Sequence, residues 1–179
     1  RTIETSSMSA IIDGDNAPGQ WVATVAIDHA ITLAENSGIG VVAVRHSNHY
    51  GAAGHYVWRA AKAGLIGMGF SNGPVILAPT GGITPLFGNN PLAVGIPCAF
   101  RDPVVLDIAM SVATRGKIGL AVAEGRTLPP GWILDQSGAP STALEDLAAG
   151  LGVPIGGHKG YGLAFVIEAL AGALTGAGY

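Results

Sequence analysis

IGVVAVR (residues 39–45) runs into HSNHYG (residues 46–51) and then into AAGHYVWRAAKAG (residues 52–64). The first seven residues are apolar up to Arg45 and show no alternation, so they read as a strand buried on both faces. From Gly51 to Gly64 the chain reads as a helix that stops at Gly64. Upstream, GQWVATVAIDHAITLAENSG (residues 19–38) reads as another helix, opened at Pro18–Gly19 and capped by Gly38. Downstream, LIGMGFS (residues 65–71) reads as a second strand. Helix, strand, helix, strand is the alternation of an α/β layered domain.

The rest of the chain is punctuated differently. Residues 72–100 carry Gly, Pro or Asn every few positions, which predicts short strands and tight turns. PVVLDIA (103–109) reads as a strand. SVATRGKIGLAVAEG (111–125) reads as a helix, against which Gly116 and Gly119 work. LPPGW and DQSGAP read as turns, and TALEDLAAG (142–150) as a short helical segment. GGHKGYGLAFVIEALAGALTGAG (156–178) is a glycine-rich turn opening a long helix that is apolar on almost every face. No repeat and no linker divides the 179 residues, so a single domain is expected.

Composition narrows the class. Hydrophobic residues make up 49% and charged residues 12%, against about 25% charged in ordinary globular chains. Much of the surface is therefore expected to be covered by something else. A membrane span does not account for this. Residues 63–100 carry no Asp, Glu, Lys or Arg, yet Gly and Pro interrupt them throughout. Residues 161–178 are long enough, but Glu168 sits in their middle at a cost of ~3 kcal/mol. The opening residues lack the basic-then-apolar order of a signal peptide. Net charge is −3 and the basic residues are scattered, which does not suggest a nucleic-acid footprint. The single cysteine, Cys98, excludes an internal disulfide and a cysteine-based zinc site, and its apolar neighbours predict a small core residue. A cytoplasmic protein is expected.

Four stretches could carry chemistry. His46, Ser47, Asn48 and His49 follow a strand end, where ligands collect in α/β domains. Histidine is suited to moving a proton near neutral pH, and Asn48 could orient a substrate oxygen. The same cluster could equally be a polar plug in a turn. In Gly156-Gly157-His158-Lys159-Gly160, a lysine at a helix start adds charge to an already positive terminus. An anion bound there would resolve the conflict, and so would a solvated lysine after a flexible turn. Asp107, before Ile108, Ala109, Met110 and Ser111, could hold a ribose hydroxyl or cap the following helix. Ser71-Asn72-Gly73 is a ligand loop or simply a turn. No G-x-G-x-x-G fingerprint follows any predicted strand, so a dinucleotide would not bind in the usual way.

Taken together, VAVRHSNHYGAAGHY, AAKAGLIGMGFSN, PTGGITPLFGNNPLAVGIP, VVLDIAMSVATRGKI, EGRTLPPGWILDQSGAPST and GGHKGYGLAFVIEALAGALTGA resemble the malate/L-lactate dehydrogenase family of NAD(P)-dependent 2-oxoacid reductases. The likeness extends from about residue 10 to the end. It implies an atypical, non-Rossmann NAD(P)-binding fold, with a mixed sheet flanked by helices, and a homodimer. It implies hydride transfer between NADH or NADPH and a small 2-oxo or (S)-2-hydroxy acid such as malate or lactate.

Residue by residue, His49 matches the acid/base histidine of some members, and Asn48 beside it could help orient the substrate carbonyl. Ser71, Asn72 and Gly73 match a cofactor loop. Asp107, Ile108, Ala109, Met110 and Ser111 match a second, and His158, Lys159 and Gly160 a third. The resemblance also implies a longer chain. The segment before this one is expected to hold a Ser-His-Gly motif and a carboxylate-clamping arginine, leaving these 179 residues as one incomplete domain. Two other readings follow: reduction of a cyclic imine carboxylate, and a non-catalytic dinucleotide-binding or dimerisation fragment.

Overall fold

The computed structural model describes residues 2–149 and 151–178 and shows a mixed α/β chain with four α-helices and three three-stranded sheets among them. Two compact units divide the described residues: 2–71, 92–108 and 169–178 form the first, and 72–91, 109–149 and 151–168 the second.

The first unit opens with β1 (Thr2–Thr5) and β2 (Ser9–Asp13), an antiparallel pair. Helix α1 (Gly19–Ser37) then returns the chain to β3 (Val41–Arg45), which lies parallel to β2. Gly38 closes α1 in the left-handed conformation (φ 82°), its N–H bonded to the Ala34 carbonyl, as the sequence predicts. Ile12, Val22 and Ala26 form the core, with Val42 and Val44 packed against it. Strand β3 is not buried on both faces. It pairs with a neighbour on one side only and α1 covers one face, so Val41 on the other is exposed.

Helix α2 (Gly54–Lys62) leads from β3 to β4 (Gly67–Phe70), but β4 belongs to a different sheet, an antiparallel β4–β5–β6 meander with β5 (Leu92–Ile96) and β6 (Val104–Ile108). The face toward α2 is built from Gly67, Gly69, Ala93 and Gly95. A Cβ on Gly95 would collide with the Val57 carbonyl, so the small residues set how closely helix and sheet approach. Met68, Phe70, Ile96, Val104 and Leu106 alternate with those positions and are exposed. Cys98 follows β5 in an exposed turn rather than in the core, because the chain leaves the sheet at Ile96.

In the second unit, α3 begins at Arg115 rather than near Ser111, and ends at Ala123. The Thr114 hydroxyl accepts from the Lys117 N–H and sets that start. Ala121, Leu128 and Ile133 form a core beside Ile118, Trp132 and Leu147. Strand β7 (Ile133–Leu134) pairs with β8 (Pro140–Ser141) and with β9 (Leu151–Gly152). The predicted DQSGAP turn closes the hairpin: Asp135 Oδ1 accepts from the Ser137 and Ala139 backbone. The predicted helical segment is a 3-10 turn over Leu144–Ala149, and its last residue, Gly150, lies outside the described residues. Helix α4 (His158–Glu168) continues as a π-helical turn over Ala169–Ala173. No helix among the described residues is long and apolar enough to cross a membrane.

Candidate functional site

The residues singled out in sequence fall into two groups, one in each unit. In the first, the turn after β3 is pinned from several directions. The Gly14 N–H donates to the Arg45 carbonyl and the Asn16 N–H to the His46 carbonyl, each at 2.8 Å. His46 adopts φ 52°, uncommon for a residue with a Cβ. Its Nδ1 lies 2.9 Å from Asp13 Oδ2, and Arg45 Nε lies 3.5 Å from the same oxygen. The Asp15 backbone N–H and then the His46 ring hold the Asp13 carboxyl below the usual carboxylate range. Asn48 Nδ2 donates to the Asn16 carbonyl (2.9 Å), Asn16 Oδ1 (3.0 Å) and the Ala17 carbonyl (3.1 Å). The Asn48 amide nitrogen is thus committed to the turn. A Cβ on Gly19 would collide with the carbonyls of Asn48 and His49, so only glycine lets α1 start under this turn. His49 itself is exposed.

Tyr50 joins two more of the predicted residues. Its hydroxyl is hydrogen-bonded to Ser71, and its backbone carbonyl accepts from the Tyr56 hydroxyl at 2.6 Å. Burial raises the Tyr50 phenol above the ordinary tyrosine range, and the nearby Asp107 charge pushes the same way against the Ser71 hydrogen bond. Asp107 Oδ2 accepts from the Gly54 N–H at 2.7 Å. The acid therefore caps α2, whose own flanking residue Ala53 has no capping side chain, and not the helix that follows it. Ile108 ends β6 beside it.

In the second unit the other predicted residues converge through a segment the sequence did not single out, Phe87–Asn90. The Met110 N–H donates to the Asn89 carbonyl (2.7 Å), and the Ile155 N–H to the Met110 carbonyl (2.9 Å). Ile155 in turn rests on the start of α4: a Cβ on Gly160 would collide with its carbonyl. Gly160 is thus required by packing, since Ile155 occupies the place where its Cβ would go. Gly156 and Gly157 differ: both have positive φ (61° and 62°), and open space lies where a Cβ would go. His158 and Lys159 are exposed on the first turn of α4. Gly73 faces Asn89 Oδ1, which a Cβ would approach to 3.3 Å. Ala109 is half-buried, Met110 fully buried, and Ser111 buried, its Oγ without a partner among the described residues.

Asn72 meets Glu168, which the sequence reading weighed only against a membrane span and not as part of a site. Asn72 Nδ2 donates to Glu168 Oε1 at 3.2 Å, and Asn90 Nδ2 donates to Glu168 Oε2 at 2.8 Å and to the Ala164 carbonyl at 2.9 Å. Glu168 and Asn90 are both buried. The signal that marks Glu168 is its isolation as the one acid in the largely apolar stretch 161–178.

The family model of malate/L-lactate dehydrogenase matches residues 1–179. A malate dehydrogenase from Pyrococcus horikoshii is 39% identical over 98% of this chain and 51% of its own length. A (2R)-3-sulfolactate dehydrogenase (NADP(+)) from Chromohalobacter salexigens is 44% identical over 84% of this chain and 45% of its own. The crystal structure of a delta1-piperideine-2-carboxylate reductase from Pseudomonas syringae superposes with a TM-score of 0.91 at 33% identity, covering 98% of this chain and 53% of that one. The chain spans about half the length of the curated relatives it matches. With the likeness running through every stretch that builds the two groups, the chain belongs to the malate/L-lactate dehydrogenase family.

Proposed function

We propose that the protein is an NAD(P)-dependent oxidoreductase of small 2-oxo and 2-hydroxy acids, with His49 as its proton-transfer group. The observation that carries the reading is the convergence in the second unit. Asn72, Gly73, Met110, Ser111 and the α4 start lie far apart in sequence, yet one chain of hydrogen bonds and close packing runs through Phe87–Asn90 and Ile155 to join them.

The α4 start fits an anionic group such as a dinucleotide phosphate. Its first backbone N–H groups, the helix dipole and the Lys159 ammonium are all positive, and the Gly156–Gly157 backbone leaves open space beside them. His158 and Lys159 would hold that group, with Asn72, Gly73, Ala109, Met110 and Ser111 as further contacts. In the first unit Ser71, Asp107 and Ile108 carry the same assignment. The fold would then be a dinucleotide-binding one outside the Rossmann pattern. The nicotinamide supplies or accepts the hydride.

His49 would deliver a proton to the forming alkoxide in reduction and take it back in oxidation. Asn48, held by three acceptors, would offer its oxygen to the substrate beside it. The exposed apolar face of the β4–β5–β6 sheet supports a homodimer, and the single cysteine suits the cytoplasm.

A second reading, reduction of a cyclic imine carboxylate, is favoured by the likeness to the Pseudomonas syringae reductase. One assay tests both. The full-length protein is mixed with NADH or NADPH and offered oxaloacetate, pyruvate, 3-sulfopyruvate and a piperideine carboxylate. Cofactor oxidation by an oxo acid supports the first reading and oxidation by the imine alone the second. Oxidation by none overturns both.

A further inference from the structure

We infer that Glu168 is a positioning residue for the dinucleotide site, acting through Asn72; the inference rests on the function proposed above. Its carboxylate is buried at 7% exposure on the last turn of α4, and both oxygens accept from amides. Asn90 Nδ2 has two acceptors, the Ala164 carbonyl and Glu168 Oε2, so the orientation of its amide is settled. Among the described residues no cation pairs with the carboxylate.

That arrangement is a costly way to fill space. A buried carboxylate without a counter-ion loses its hydration, and apolar side chains of similar volume would pack the same place more cheaply. What the carboxylate supplies instead is a pair of acceptors at a fixed separation. One is bonded to Asn90, itself anchored on α4. The other fixes the Asn72 side chain at the head of the Asn72–Gly73 turn. Helix α4 therefore carries two functions at opposite ends of its 11 residues: His158 and Lys159 at its start, and the group that orients Asn72 at its end. The amide-to-carboxylate and amide-to-carbonyl contacts fix the donors of this set, while Asn90 Oδ1 is buried with no partner among the described residues, so the geometry rests on the carboxylate.

Glutamine is nearly the same shape but has one oxygen and one NH2. In Glu168→Gln, one of the two asparagine amides would face a donor and turn away. Glu168→Asp keeps both oxygens on a shorter stem. The experiment uses the full-length protein with NADH and NADPH as probes, reading dinucleotide affinity, steady-state KM and kcat, and deuterium uptake. Glu168→Gln is expected to raise dinucleotide KM about tenfold, the equivalent of one hydrogen bond to a charged group. Turnover at saturating cofactor is expected to change little. Deuterium uptake is expected to rise around residues 71–75 and stay unchanged along 158–167. Glu168→Asp is expected to recover part of the affinity. A folded Glu168→Gln protein with wild-type dinucleotide affinity overturns the inference while leaving the proposed function standing. Global unfolding or uniform loss of protection also overturns it, because Glu168 would then be a core residue only. A wild-type protein that binds neither dinucleotide defeats the proposed function, and the inference with it.

Discussion

Nδ1 of His46 lies 2.9 Å from Oδ2 of Asp13, so the end of β2 and the turn after β3 are tied together by a carboxylate–imidazole pair. The pair sets a pH dependence. The Asp13 carboxyl is held below its usual range when folded, so the unfolded chain binds its proton more readily. The stability it contributes is complete above the usual carboxylate range and is lost as pH falls through the folded value. Thermal unfolding of wild type and Asp13→Asn should therefore differ at neutral pH and converge as pH falls through the folded Asp13 value, below the usual carboxylate range. A difference that persists in acid would contradict the assignment.

Gly19 makes a prediction about the same turn. Alanine there would collide with the Asn48 and His49 carbonyls, and relief must come from moving the turn or the first residues of α1. Gly19→Ala is expected to cost about 1–3 kcal/mol of stability. It should lower turnover by more than Gly116→Ala in α3, where no neighbour is nearer than 3.9 Å. Denaturant melts and steady-state rates on the two variants check this.

Much of the first unit's local structure was legible because local chemistry set it. The Gly38 cap, the stop of α2 near Gly64 and the strand VVLDI follow from residue types within one turn or one pleat. Strand β2 was missed because its alternation is short and its hydrophobic partners, Val22 and Ala26, come from the helix that follows. The depth of β3 was misjudged because an apolar run cannot say whether a neighbour lies on one side or two. The Glu168 network was illegible for the plainest reason. Its hydrogen bonds join residues 96 and 78 positions apart, so no local window contains both ends. Asp107 was seen as a capping acid, but which helix it caps depended on the sheet register.

Tyr50 offers a test of the first unit's group. Its phenol stays neutral beyond the ordinary tyrosine range, so no limb of the activity profile below about pH 10 should belong to it. Tyr50→Phe removes the bond to Ser71 and should raise dinucleotide KM several-fold, in line with a net ~1 kcal/mol for a neutral hydrogen bond. The pH–rate profile of the variant should keep its shape. A missing alkaline limb would contradict this.

Lys159 should behave as an anion-binding group. Lys159→Gln is expected to raise dinucleotide KM about tenfold with little change in kcat, and to weaken its dependence on ionic strength. Titrations at two salt concentrations separate this from a packing defect, which salt would leave unchanged.

The most direct measurement is of His49→Ala in the full-length protein, following NAD(P)H consumption by the best oxo acid alongside dinucleotide binding. Proton transfer by a positioned side chain contributes about 10²–10⁴-fold. The account predicts a loss of turnover in that range with dinucleotide affinity unchanged, because His49 is assigned to proton transfer and not to dinucleotide binding. Turnover near that of wild type would contradict it.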